Sequence, residues 1–144
     1  MASNTTYKPT RVIDFEAAKL NADFQSIQGT AAAGVSTNFD LVMTNDELIT
    51  GMEVIAMNST FGDTITFQLL AGTAYTAYGY AATQVLNQFV TNWGVCTDSQ
   101  KKISKEIDYP AKFITGTVVR VVYKSYGTTP VNLIINLDLH KVLV

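Results

Sequence analysis

Two segments near the C-terminus alternate strictly between inward and outward positions, and they constrain the fold of this chain more than any other feature. The first, TGTVVRVVYKSYG, places on one face Thr117, Val119, Val121 and Tyr123. The second, VNLIINLDLHKVLV, places on one face Val131, Leu133, Ile135, Leu137 and Leu139. Because successive side chains of a strand point to opposite faces, each segment predicts a long strand. The GTTP sequence between them predicts a tight turn, and therefore an antiparallel hairpin that forms the core sheet or an oligomer interface.

The same alternation recurs in three segments of the middle of the chain, NFDLVM, GMEVIAMN and DTITFQLL, the last preceded by the turn signal FGD. The first segment places Phe39, Leu41 and Met43 on one side, and the second places Met52, Val54 and Ala56 opposite Glu53, Ile55 and Met57. In the third, Ile65, Phe67 and Leu69 are predicted to face inward. AGTAYTAYGYAAT fits a strand edge followed by a loop, whereas residues 83–94 fit either a helix or a strand. Seven or eight strands in all predict an all-β fold, an antiparallel β-sandwich that is jelly-roll-like.

Residues 1–36 lack this pattern and are predicted to form an N-terminal arm and linker, ahead of a sandwich domain over residues 37–144. The start, MASNTTYKPT, is polar, and Pro9 favours an extended backbone. A short helix is predicted over DFEAAKLNADFQSI, with Asp14 as its N-cap. QGTAAAGVS follows with the small residues of a linker.

The predicted helix carries one narrow apolar stripe, formed by Leu20, Phe24 and Ile27. Such a stripe needs a surface to cover, either on its own domain or on a neighbour. We therefore expect the arm, from Thr5 to Gly34, to contact neighbouring chains. Its candidate interaction residues are Tyr7, Phe15, Leu20, Phe24 and Ile27.

The composition is poor in charge, with 15% charged residues against a usual value of about 25%. Neutral polar residues replace the charges, since the chain has 19 threonines and 9 asparagines. Such a surface is easily desolvated against a partner, which favours an assembled protein, although an ordinary threonine-rich β protein fits equally well. The net charge of −2 excludes the basic footprint of non-specific nucleic-acid binding. The length fits one domain.

Residues for chemistry are scarce, so the sequence predicts neither an enzyme nor a cofactor or metal site. The chain has one histidine, His140, and one cysteine, Cys96, and lacks GxSxG, P-loop and GxGxxG motifs. Asp138 shares a strand face with His140, and the hairpin predicts that they pair with Arg120 or Lys124. Residues 45–47, Asn-Asp-Glu, fit a turn better than a calcium loop.

The termini and the apolar runs carry no targeting signal. The polar start has no signal-peptide core, and no apolar run approaches the roughly 20 residues of a membrane span. A single cysteine excludes an internal disulfide. These features predict a protein made or assembled in a reducing cytoplasm, with no membrane partner.

Aromatic residues are the best candidates for binding. Six of them are considered as one group: Tyr75, Tyr78, Tyr80, Trp93, Tyr123 and Tyr126. Tyrosine and tryptophan are enriched at protein interfaces, and aromatic rings also line the core of many domains. The other interpretation is a carbohydrate-binding platform. Tyr75, Tyr78 and Tyr80 join the arm residues as candidate interaction residues.

The segment IDYPAKFITGTVVRVVYKSYGTTPVNLIINLDLHKV resembles the closing hairpin of small β-sandwich structural proteins of tailed bacteriophages. The features that it shares are a lead-in with a proline, a long strand, a GTTP turn and a strand that ends in INLDLHKV. The general plan is also similar, with a threonine-rich body, a polar N-terminal arm, an alanine-rich linker and no cysteine pair.

This resemblance implies a virion structural protein of the capsid decoration, or cement, type. It implies that the protein binds and stabilises the lattice of the major capsid protein, as a homo-oligomer for which a trimer is favoured, after assembly in the host cytoplasm. The family supplies no catalytic residues. A tail, collar or head-tail component is an alternative in the same class, and a carbohydrate-binding module is an alternative from another class.

Overall fold

The computed structural model describes residues 22–95, 99–106 and 112–141, most of which form β-strands. The strands are β1 (Ala22–Ala31), β2 (Ser36–Val42), β3 (Glu47–Ser59), β4 (Thr64–Leu70), β5 (Val85–Gly94), β6 (Ser99–Glu106), β7 (Lys112–Phe113), β8 (Val118–Lys124) and β9 (Val131–Lys141). A single 3-10 turn, Thr76–Tyr78, is the only helical element of the described residues. The prediction of an all-β fold is therefore confirmed.

The strands form two antiparallel sheets. Sheet A has the order β1-β9-β3-β6, with the short β7 also paired to β3, and sheet B has the order β2-β8-β4-β5. The antiparallel pairs are nested along the chain, since β1 pairs with β9, β2 with β8, β3 with β6 and β4 with β5. These nested pairs form a ribbon of paired strands. The ribbon is rolled up so that β9 also pairs with β3 and β8 also pairs with β4, which is the predicted jelly-roll arrangement.

The core lies between the sheets, and each strand turns one of the two faces predicted from alternation toward it. The buried residues on these faces are Met43, Met52, Val54, Ala56, Ile65, Phe67, Thr117, Val119, Val121, Tyr123, Val131, Leu133, Ile135, Leu137 and Leu139. Phe39, Leu41 and Leu69 are partly buried and pack against them. A row of rings crosses the core, with Phe89 centred 5.9 Å from Phe67 and 5.3 Å from Phe113.

The predicted hairpin of the last two long segments is wrong. β8 lies in sheet B between β2 and β4, and β9 lies in sheet A between β1 and β3. The connection over residues 125–130 carries the chain from one sheet to the other, so the two apolar faces meet across the core. Alternation fixes which face of a strand is buried, but it does not fix which strand lies beside it.

The predicted helix over 14–27 is wrong over residues 22–27, and the first four residues of the predicted linker, 28–31, are also strand. Residues 22–31 form β1, which pairs with β9 along its whole length, from Ala22 opposite His140 to Ala31 opposite Val131. Long-range pairing overrides the local helical spacing. The small residue Gly29 is needed because a Cβ atom there would collide with the Phe39 ring. Residues 1–21 lie outside the described part, so the predicted arm stays a prediction there.

Residues 83–94, which fitted either element, contain strand β5. β5 pairs with β4 through three shifts of register, and Asn92 has a left-handed backbone with φ of 48°. Such bulges bend a strand and interrupt its ladder. β5 is therefore an irregular edge strand of sheet B.

Candidate interaction surfaces

One end of the sandwich carries a loop over residues 71–84 that joins β4 to β5, and we name it the tyrosine loop. Its base continues the strand pair, because Ala71 N donates to Gln84 O at 2.9 Å and Gly72 N donates to Ala82 O at 2.9 Å. Thr73 N donates to Gly116 O at 3.0 Å, which joins the loop to the turn before β8. Backbone hydrogen bonds thus hold the loop in one shape without using its aromatic side chains.

The tip of the tyrosine loop is the 3-10 turn Thr76–Tyr78, which brings three rings together. The Tyr75 ring is centred 6.3 Å from Tyr78 and 6.0 Å from Tyr80, in tilted and edge-on arrangements. Tyr75 is half-buried, whereas Tyr78 is 77% exposed and Tyr80 is 47% exposed. Exposed tyrosine rings offer a large contact area at low cost in side-chain entropy, which is why they recur at binding surfaces.

The loop that carries these rings and the two strands that flank it contain no charged residue. From Thr64 to Thr97 the sequence contains no Asp, Glu, Lys, Arg or His, so β4, the tyrosine loop and β5 are all neutral. Polar side chains on this side satisfy one another, as where Gln68 Nε2 donates to Gln88 Oε1 at 3.1 Å. A partner that covers this loop and its two strands therefore does not have to desolvate a charged side chain of theirs. The length of this neutral stretch is a signal that the sequence analysis missed.

The other three aromatics of the predicted group do not join this cluster. Trp93 packs against Phe67, with ring centroids 6.5 Å apart, and Tyr123 is buried in the core. Tyr126 is exposed, but it follows β8 at the opposite end of the sandwich. The structure therefore brings together Tyr75, Tyr78 and Tyr80 and separates them from the rest.

The opposite end is held by a buried carboxylate, and we name this group the aspartate clamp. Asp63 is fully buried and accepts hydrogen bonds from Tyr123 Oη at 2.6 Å, Tyr126 N at 2.8 Å and Thr60 N at 3.0 Å. Burial, together with the hydrogen bond to Asp63 and its charge, raises the pKa of Tyr123 far above its ordinary value. The polar groups of this end are used within the fold, so the clamp is structural.

A shallow apolar groove of about 330 Å³ lies on the outer face of sheet A, across β1, β9 and β3. Its lining residues are Gln28, Gly29, Thr30, Ile55, Met57, Asn132, Leu133 and Ile134, none of which is charged. The rim is internally bonded where Thr30 Oγ1 donates to Asn132 Oδ1 at 2.9 Å. The groove is open, and its walls place few polar groups toward a ligand.

The predicted contacts of the arm fall largely outside the described residues. Tyr7, Phe15 and Leu20 lie there, and Phe24 is placed by its backbone in β1 opposite Asp138. Ile27 is partly buried and packs against the core from β1, so it does not lie on a helical stripe. The five residues share no surface in the part of the chain that the structure describes.

The residues considered for chemistry have structural partners in several cases. Arg120 does not pair with Asp138 or His140, because it binds Asp40 on β2 through two hydrogen bonds of 2.8 and 2.9 Å. Asp46 accepts hydrogen bonds from the backbone N and the Oγ1 of Thr115, both at 2.9 Å. Among the described residues, no three His, Cys, Asp or Glu side chains lie close enough together to hold a metal ion.

Over residues 22–95, 99–106 and 112–141, no helix is long and apolar enough to cross a bilayer.

No protein-family model and no curated protein matches the sequence. Solved structures to which the chain is similar include a structure of infectious bursal disease virus, Gx strain, at 11% identity and a TM-score of 0.38, over 83% of this chain and 32% of that one. A carbohydrate-binding module of Cel9A from Ruminococcus flavefaciens matches at 13% identity and a TM-score of 0.43, over 78% and 98% of the chains. The decameric BFDV capsid protein matches at 7% identity and a TM-score of 0.40, over 83% and 95%.

These likenesses are weak, with TM-scores from 0.38 to 0.43. The chain spans about a third of the length of the matched infectious bursal disease virus chain. With TM-scores below 0.5, the likenesses carry no argument about what the chain binds.

Proposed function

We propose that the protein is a non-catalytic structural component of a bacteriophage virion, a capsid decoration protein that binds the lattice of the major capsid protein through the tyrosine loop. The observation that carries the proposal is the neutral, backbone-held loop that presents Tyr78 and Tyr80 to solvent. The class of partner comes from the general plan that the sequence shares with phage structural proteins, a threonine-rich body with a polar start, because β8 and β9 lie in different sheets and do not form the closing hairpin.

The physical logic favours a protein surface as the partner. Rings that are held in place before binding lose little entropy on contact, and tyrosine residues at the centre of an interface often dominate its affinity. A lattice offers many equivalent sites, so modest contacts suffice to cover it. A tail, collar or head-tail position uses the same surface and is the alternative within this class.

The direct test is cosedimentation of the purified protein with empty shells assembled from the major capsid protein of the same phage genome. The proposal predicts saturable binding at a fixed ratio to the capsid subunits and a higher melting temperature of the decorated shells. A protein that stays in the supernatant at every concentration contradicts the decoration function. Binding to purified tails and not to shells selects the alternative position.

A carbohydrate-binding module is a second candidate, and the exposed rings of Tyr78 and Tyr80 favour it. Sugar rings stack on exposed aromatic faces, and ligand binding to the native state raises thermal stability. A screen of soluble oligosaccharides by thermal shift separates the two. A concentration-dependent rise with one glycan, lost in Tyr78→Ala, selects the carbohydrate function, and no rise with any glycan leaves the capsid function as the better account.

A further inference from the structure

The two sheets have four edges, and three of them carry features that oppose pairing with another strand. β5 has three register shifts and the left-handed Asn92. β6 has the sequence SQKKISKE, in which four of eight residues are charged. β2 is short, with seven residues, and carries Asp40 on its exposed face. Bulges, charges and short length are the features by which natural sheets protect their edges.

β1 is the remaining edge, and it has neither the short length, nor the bulges, nor the run of charges of the other three. It is ten residues long, it contains no proline, and its register with β9 runs from Ala22 to Ala31 without a shift. Its one charged residue, Asp23, lies next to its start, so the eight residues from Phe24 to Ala31 are uncharged. Within the described chain β1 has a strand neighbour on one side only. An edge that is long, regular and uncharged over most of its length is a template for a further strand.

We propose that β1 of one chain pairs in antiparallel fashion with β1 of a second copy, which joins two A sheets into one continuous sheet. A two-fold axis perpendicular to the sheet and passing through Ser26 or Ile27 aligns nine of the ten residues of β1 with their counterparts, by the spacing of its residues. Ser26 then lies opposite Ser26 or Gln28 of the second copy. The inference does not depend on the proposed function.

Charge and burial both favour a second copy as the occupant. In either alignment the two Asp23 residues are at least six strand positions apart, about 20 Å, so no like charges face each other. The partly buried Ile27 of β1 and Phe39 of β2 lie on this side of the sandwich, where a second copy covers them further. Because the other three edges oppose pairing, the contact is isologous and closes at two chains.

The first measurement is the mass of the full chain in solution by light scattering over a range of concentrations. The proposal predicts a dimer, twice the 15.7 kDa of one chain. The variant Ser26→Lys places two like charges within about 8 Å across the axis, so its dimer dissociates at least tenfold more readily. The matched control is Asn38→Lys, an equally exposed outer position on β2, which leaves the dimer unchanged. Circular dichroism checks that both variants keep the fold.

A mixture of two oppositely charged variants tests the β1–β1 contact directly. Ser26→Lys and Ser26→Glu each weaken the homodimer, and an equimolar mixture restores the dimeric mass because opposite charges then meet. A full chain that is monomeric, or an oligomer that Ser26→Lys leaves intact, overturns the proposal. A full chain that is monomeric and dimerises after removal of residues 1–20 also overturns it, because that segment then occupies the edge in the intact protein.

Discussion

The two ends of the sandwich use polar and aromatic side chains in opposite ways. In the aspartate clamp, the buried carboxylate of Asp63 accepts hydrogen bonds from Thr60, Tyr123 and Tyr126, all within the fold. In the tyrosine loop, backbone hydrogen bonds carry the structure, and the rings of Tyr78 and Tyr80 stay exposed. The two features lie at opposite ends of β4 and are separated by its seven residues.

Under the proposed function, the two ends divide stability and binding between them. A side chain that satisfies a buried group cannot also contact a partner, so the proposed binding loop needs another source of order. Here that source is the backbone, which continues the β4–β5 pairing into the loop through Ala71 and Gly72. Substitutions at the clamp should therefore change stability, and substitutions at the loop tip should change binding.

The largest expected effect is that of Asp63→Ala. The substitution removes the acceptor of three hydrogen bonds and leaves the buried Tyr123 hydroxyl without that partner. An unsatisfied buried polar group costs 1–3 kcal/mol, and with the lost charged acceptor we expect a decrease of about 3–4 kcal/mol in the free energy of unfolding. Urea denaturation measures it, and a decrease below about 1 kcal/mol means that Asp63 is not a clamp.

The base of the tyrosine loop is tested by Gly72→Ala, with Gly79→Ala as its control. Gly72 has φ of 55°, and a Cβ atom there would collide with the carbonyl oxygen of Gly116. Gly79 has φ of 88° with open space around it. We expect about 2–3 kcal/mol of destabilisation for Gly72→Ala, from overpacking and left-handed strain, and about 1 kcal/mol for Gly79→Ala, from strain alone. Equal losses in thermal unfolding would contradict the close packing of the loop base.

The clamp should also make stability depend on alkaline pH. Because the pKa of Tyr123 is raised in the folded state, the native protein keeps a proton that the unfolded chain releases above about pH 10. The contribution of Tyr123 to the free energy of unfolding is fully present below that pH. Above it, the contribution decreases by up to about 1.4 kcal/mol per pH unit. In Tyr123→Phe this component is absent, so its unfolding free energy should fall less steeply between pH 10 and 11.5. Parallel slopes for the two proteins would exclude the effect.

The smallest effect on stability is expected for Tyr78→Ala. The ring is largely exposed and touches Tyr75 alone among the aromatic contacts, so the free energy of unfolding should change by about 0.5 kcal/mol or less. Thermal unfolding beside the wild-type protein checks this. A loss above about 2 kcal/mol would mean that the ring supports the fold, and the contrast between the two ends would fail.

Alternation predicted the buried faces of the strands well, and it predicted their neighbours badly. The inward positions of β8 and β9, such as Val121 and Ile135, are set by local spacing, which the sequence displays directly. Their placement in different sheets depends on β2, β4, β1 and β3, which lie far away in sequence. The sequence did not predict β1, because small residues such as Gly29 and Ala31 are typical of a linker. The reason for a glycine at position 29 is its contact with the ring of Phe39, which the structure shows and the sequence does not.

The candidate surface shows the same division between local and distant information. The sequence predicted a loop among the tyrosines and singled out Tyr75, Tyr78 and Tyr80. It did not show that Trp93 and Tyr123 turn into the core, since that depends on strand pairing. FGD was recognised as a turn signal, but the role of Asp63 depends on Tyr123, which lies 60 residues further along the chain.

The claim that the tyrosine loop is the binding surface is tested most directly by cosedimentation with capsid shells, comparing Tyr78→Ala/Tyr80→Ala with Tyr126→Ala. Tyr126 is 58% exposed at the opposite end, so its loss is the matched control for removing a surface tyrosine. We predict that the double variant binds at least about 30-fold more weakly, as for an interface hot spot of 2 kcal/mol, and that Tyr126→Ala binds like the wild type. Unchanged binding of the double variant, or an equal loss with Tyr126→Ala, would contradict the account.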